Sequence, residues 1–210
     1  MSLKSFSLFI ILLLLSGSSI FSQNKVGHFS LGLQSGVLIP YGENKGIASE
    51  EMGISNGLTF KYFPSDHFAM GMSLRIMNNN FQAQVKANNV PITQVPFTFD
   101  FEWYPTDWRL KPYVGFGAGL SFFTVTPVGG LVNTLKEIPD TYTTPAYLAT
   151  GKAGLKYQLN NHFSMHAEGT YYRVAEPGES FLWQQSDGTV YKQFSNKASF
   201  TLGLLYHFDE

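Results

Sequence analysis

Apolar and polar residues alternate with a period of two along most of this chain. Phe68, Met70, Met72, Leu74 and Ile76 interleave with Ala69, Gly71, Ser73, Arg75 and Met77. Val95, Phe97, Phe99, Phe101 and Trp103 interleave with Pro96, Thr98, Asp100, Glu102 and Tyr104. Phe200, Leu202, Leu204, Tyr206 and Phe208 do so with Ser199, Thr201, Gly203, Leu205 and His207. Successive side chains of a strand point to opposite faces, so these runs predict strands with one apolar and one polar or small face. Eight runs follow the pattern, over residues 26–39, 54–64, 68–80, 92–105, 112–125, 146–159, 163–175 and 195–208. Past the N-terminus no segment carries a 3.6-residue period.

The connections alternate between short and long. The short ones are Pro64 to His67, Pro105 to Lys111, and Asn160 to His162. The long ones are Pro40 to Gly53, Met77 to Pro91, Thr126 to Pro145, and Glu176 to Phe194. This is the rhythm of an up-and-down antiparallel sheet with tight turns at one end and loops at the other. Asp187-Gly188, flanked by Phe181-Leu182-Trp183-Gln184-Gln185 and Thr189-Val190-Tyr191-Lys192, signals a hairpin within the last loop, and Asn88-Asn89 is a weaker signal of the same kind. Eight strands without covering helices leave two bare edges, and closing the sheet removes them. The predicted fold is all-β, an eight-stranded antiparallel up-and-down barrel over residues 23–210. A barrel with an apolar lumen would suit water, and one with a polar lumen would suit lipid.

Composition bears on that choice. Only 14% of residues are charged, 16% are aromatic, and Cys is absent. A soluble domain carries about a quarter of its residues as charges. A net charge of −1 offers no footprint for nucleic acid. Residues 1–22 add a targeting signal: Lys4, an apolar run from Leu8 to Leu15, then Ser16 to Ser19. That order is that of a secretory signal peptide, with cleavage expected after Ser22 and, as the alternative, after Ser19. The run is too short for a spanning helix, which needs about 20 apolar residues.

Three features select the lipid-embedded barrel, in which the eight runs are transmembrane strands. The first is the height of the aromatics. Tyr62, Phe68, Trp103, Trp108, Tyr113, Tyr157, Phe163, Tyr206 and Phe208 fall near the short turns, and Tyr41, Phe81, Phe122, Tyr147 and Tyr171 near the long loops. Two aromatic girdles around an apolar band about 25 Å tall mark a membrane barrel. The second is the polar face, which carries Lys61, Arg75, Asp100, Glu102, Lys152, Lys156, His166 and Glu168. Opposite signs on neighbouring strands, Arg75 beside Asp100 and Glu102, and Lys152 and Lys156 beside His166 and Glu168, suit an enclosed interior network. Gly115, Gly117 and Gly119 leave room for it.

The third is the C-terminal segment, in which Thr201, Gly203, Tyr206 and Phe208 form a polar–glycine–aromatic–aromatic spacing. It resembles the assembly signal of outer-membrane β-barrel proteins, with the departure that Asp209 and Glu210 follow the last aromatic. Pro112-Tyr113-Val114-Gly115-Phe116-Gly117-Ala118-Gly119-Leu120 is similar to the glycine-alternating strands of the same superfamily, whose small OmpA/OmpX-like and OmpW-like barrels are the nearest in pattern. The resemblance implies residence in outer-membrane lipids and recognition of the last strand by the barrel assembly machinery. It implies a structural or surface-interaction role, with long loops outside meeting an extracellular or surface partner. A narrow small-solute channel is the first alternative, and a lipid A-modifying outer-membrane enzyme the second.

No Walker loop, nucleophile elbow or HExxH occurs, and no cofactor is implied. His162-Phe163-Ser164 with Glu168 or Glu176, and His28-Phe29-Ser30, have the His and Ser spacing of outer-membrane lipid A deacylases but lack the Asn that follows the Ser there. His28, His67, His162 and His207 gather at the short-turn rim without a metal-ligand spacing. They read as polar turn residues.

Overall fold

The computed structural model describes residues 27–41, 48–83, 89–125, 142–175, 182–184, 190–192 and 196–208. The strands are β1 (His28–Tyr41), β2 (Ala48–Glu50), β3 (Gly53–Ser65), β4 (Phe68–Ala83), β5 (Asn89–Trp103), β6 (Leu110–Val125), β7 (Tyr142–Gln158), β8 (Phe163–Ala175), β9 (Leu182–Gln184), β10 (Val190–Lys192) and β11 (Asn196–His207). The eight long strands pair antiparallel in the order β1, β3, β4, β5, β6, β7, β8, β11. The ladder between β11 and β1, from Ser30↔His207 to Tyr41↔Asn196, closes the ring. The result is an eight-stranded antiparallel barrel in which every long strand has two neighbours.

The strands overrun the alternating segments at the long-loop end. β4 and β5 continue to a Gln82↔Asn89 pair, so Asn89 is a ladder residue and not the centre of a turn. β2 pairs with the far end of β4, Ala48↔Ala83 to Glu50↔Phe81, inside what alternation marks as loop. β9 and β10 form a separate two-strand ladder. The signal segment 1–22, Asn88, the Asp187-Gly188 pair, Asp209 and Glu210 lie outside the described residues.

Alternation sorts side chains with few exceptions. On β11, Leu202 is 58% exposed while its neighbour Thr201 is fully buried. The outer wall is apolar, with Leu33, Ile76, Phe116 and Leu204 all exposed. The lumen has three levels. Phe63, Ala69, Tyr104 and Tyr113 fill the short-turn end. A second apolar cluster, including Leu38, Met77, Phe123, Leu148 and Tyr172, fills the long-loop end. Charged and hydroxyl side chains occupy the middle.

The aromatic girdles need correction. Tyr113 points into the lumen and is 2% exposed. Phe99, Phe101, Phe116 and Phe200 face outward at mid-height on β5, β6 and β11. Phe68, Phe163 and Phe208 do stand at the short-turn rim, but the outward Tyr and Trp are the ones confined to the rims: Trp103, Trp108 and Tyr206 at one end, Tyr147 and Tyr171 at the other. Phe has no polar atom to keep near water, whereas the tips of Tyr and Trp do. The side chains of Tyr41 and Phe81 lie outside the described residues.

Candidate functional site

The lumen is where polar chemistry concentrates. Its charged residues stand on inward positions of β3 to β8 and of β11, and each sits there because its parity along the strand matches that of small or hydroxyl neighbours. Lys61 Nζ donates to Glu102 Oε2 at 2.7 Å. Arg75 Nη2 pairs with Glu168 Oε1, and Arg75 Nη1 donates to Ser199 Oγ at 3.3 Å. Lys152 Nζ lies 2.9 Å from Asp100, 3.7 Å from Glu102 and 4.0 Å from Glu168. Hydroxyls complete the carboxylate shells. Tyr113 donates to Glu168 at 2.9 Å, Thr170 to Glu168 at 2.8 Å, and Tyr104 to Glu102 at 2.6 Å. Ser73 and Thr98 both donate to Asp100.

Lys152 meets Glu168 on adjacent β8 as strand adjacency suggests, but the other pairings differ. Arg75 on β4 reaches Glu168 on β8, four strands away and across the lumen, not Asp100 or Glu102 on adjacent β5. Lys61 on β3 skips β4 to reach β5, and Lys152 on β7 skips β6 to reach the same strand. Glycine on the skipped strand is the physical reason. Gly115 stands in register between Glu102 and Lys152. A Cβ there would lie 3.0 Å from Cγ of both. Gly71 likewise stands in register between Lys61 and Asp100. Removing the intervening side chain lets charges meet over the glycine, and the narrow bore of an eight-stranded barrel brings opposite walls within reach.

Two predicted residues form no ion pair among the described residues. Lys156 Nζ sits 4.3 Å from the Phe63 ring centroid and 5.7 Å from that of Tyr104. His166 Nε2 lies 3.3 Å from the Gln34 side-chain amide. Reading by charge runs also missed Lys111 and Lys197. Lys111 falls within the segment read as a short turn, and yet shares the parity of Tyr113 and Gly115. Lys197 shares that of Thr201 and Gly203. Both are 1% exposed.

The histidines at the short-turn end split. His28 is buried and stacks on Phe63, with ring centroids 4.6 Å apart. His207 lies 5.2 Å from His28 and is held between two serines, Ser30 Oγ 2.6 Å from Nδ1 and Ser164 Oγ 2.8 Å from Nε2. Both serine hydroxyls of the two His-x-Ser segments are thus turned into the lumen, away from the outer wall. His67 is exposed and lies 3.4 Å from Asp107. Among the described residues no group of three or more His, Asp or Glu gathers as a metal site. In the last strand, Thr201 and Gly203 face the lumen and Tyr206 and Phe208 face out.

Residues 8–208 match the family model described as "Outer membrane protein beta-barrel domain". OprG of Pseudomonas aeruginosa superposes with a TM-score of 0.56 at 16% identity, covering 90% of this chain and 100% of that one. Ail of Yersinia pestis gives 0.55 at 12%, covering 87% and 99%. Neisserial surface protein A gives 0.56 at 15%, covering 86% and 97%. No curated protein matches the chain.

Proposed function

The chain belongs to the outer membrane protein β-barrel domain family and resides in the outer membrane, and on that premise we propose that it is a closed surface barrel, neither channel nor enzyme. Its long loops are its contact surface for an extracellular or surface partner. The observation that carries this reading is the cross-bracing of the lumen. Arg75–Glu168 spans the bore, and Lys152 ties Asp100, Glu102 and Glu168 together. Apolar clusters lie above and below that layer. A solute crossing the barrel would have to separate buried ion pairs, each of which costs several kcal/mol to break. The engagement of Ser30 and Ser164 by His207 supports the non-enzymatic reading, because neither hydroxyl meets lipid.

An even number of strands puts both ends of the barrel on one side. In this reading that side is the periplasm, residues 1–22 are removed on export, and Thr201, Gly203, Tyr206 and Phe208 engage the barrel assembly machinery. Two experiments test the proposal. The mature barrel in planar bilayers should show no steady conductance, and sustained small-solute currents would overturn the closed lumen. Deleting Leu182 to Lys192 should leave a heat-modifiable barrel that no longer binds host or bacterial surfaces. Undiminished binding would remove the loops from the account.

A further inference from the structure

The charges buried in the lumen do not balance. Among the described residues six cationic side chains are buried there, Lys61, Arg75, Lys111, Lys152, Lys156 and Lys197, against three carboxylates, Asp100, Glu102 and Glu168. The carboxylates are engaged by Lys61, Arg75 and Lys152. Lys197 donates to Asn79 Oδ1 at 3.0 Å. Lys111 and Lys156 are left over. Each is 1% exposed, and among the described residues each Nζ is without a hydrogen-bond partner.

These two lysines are direct register partners on β6 and β7 and share the inward face. Directly opposed residues in an antiparallel pair hold their Cβ atoms about 5 Å apart. Two buried ammoniums on neighbouring strands of one face, cut off from water, repel and are each poorly solvated. The Phe63 and Tyr104 rings face Lys156, and cation–π attraction relieves one ammonium in part. Asp66 and Asp107 act on Lys111 from the turns without touching it, and exposed Asp107 lies beside His67. His28 and His207 add no negative charge. The surroundings therefore supply rings and distant carboxylates where two ammoniums call for an anion between them.

We propose that Lys111 and Lys156 hold a small inorganic anion in the short-turn end of the lumen. The occupant is of the chloride or inorganic phosphate class, because the bore is filled by side chains and admits nothing larger. It would be a structural counter-ion, completing the charge balance at the level below the Lys152 hub. Its presence also fits a closed barrel, since a bound counter-ion neutralises the lumen without a path through it.

The test uses the refolded mature chain in detergent micelles with sodium gluconate as the background salt. Chloride and inorganic phosphate are titrated separately at constant ionic strength. Either or both should raise the thermal transition saturably, by about 5–10 °C at a hundredfold excess over Kd. Comparing the two identifies which anion the site prefers. Lys156→Met, which keeps the stem and removes the charge, should lose the response and melt above the anion-free wild type. Lys111→Met should do the same. A response of unchanged size in both variants overturns the proposal, as does a wild type indifferent to both anions. Should a variant fail to fold, the chloride-35 and phosphorus-31 linewidths in wild-type samples decide. Excess broadening of either anion supports the site, and its absence for both sinks it.

Discussion

The inner and outer faces of the same strands follow opposite rules. On β11, Leu202 and Leu204 look outward and need nothing but hydrocarbon contact. Thr201, one residue from Leu202, and Ser199 look inward and serve hydrogen-bonded neighbours. Glycine marks the contrast most clearly. Inward Gly36, Gly115 and Gly117 stand where a Cβ would collide with backbone or with a paired charge, whereas a Cβ on outward Gly151 would meet nothing within 4 Å. The inner face is specified atom by atom. The outer face is specified only by polarity.

Substitutions can break or sharpen that contrast. The largest effect is expected at Glu168, which serves Arg75, Lys152, Tyr113 and Thr170 at once. Glu168→Gln should cost about 3–5 kcal/mol, read from urea unfolding in micelles, because it leaves Arg75 buried without a counter-ion. Adding Arg75→Met should recover much of that loss. On the outer face, Leu202→Arg at mid-height should cost about 2–4 kcal/mol when the barrel is folded into bilayers. Gly36→Ala, whose Cβ would fall on the Phe200 carbonyl, should cost about 1–3 kcal/mol. Gly151→Ala should be neutral or stabilising by up to about 1 kcal/mol, since alanine loses less freedom in a strand. Asp107→Asn, at an exposed pair with His67, should move stability by less than about 0.5 kcal/mol. Equal costs at Gly36 and Gly151 would erase the difference between the faces.

Period two makes the faces readable. The parity of Phe97 and Phe99 against Thr98 and Asp100 assigns lipid and lumen with no knowledge of partners, and the barrel follows from the count of strands. Partner choice is a different matter. That Arg75 meets Glu168 depends on bore and stagger, which no local pattern encodes. Tyr113 shows a further limit. Its height suits a girdle, and only its parity with Gly115 reveals that it turns inward. Lys111 was obscured by its place at a strand's first turn, and β2 because three residues are too few to show a period.

The seam between β1 and β11 sets the order of events in folding. Ser30 and His207, joined across it, are 177 positions apart. Every other ladder of the ring joins strands that follow one another or are separated by one loop carrying short strands, β2 between β1 and β3, and β9 and β10 between β8 and β11. The hairpins can form as neighbours meet, but the ring cannot exist until the final strand has arrived and found the first. Closing a segment of that length is a slow, non-local step. Until it happens the chain is an open sheet with two adhesive margins. The chain is therefore most exposed to misassembly between the completion of β8 and the docking of β11.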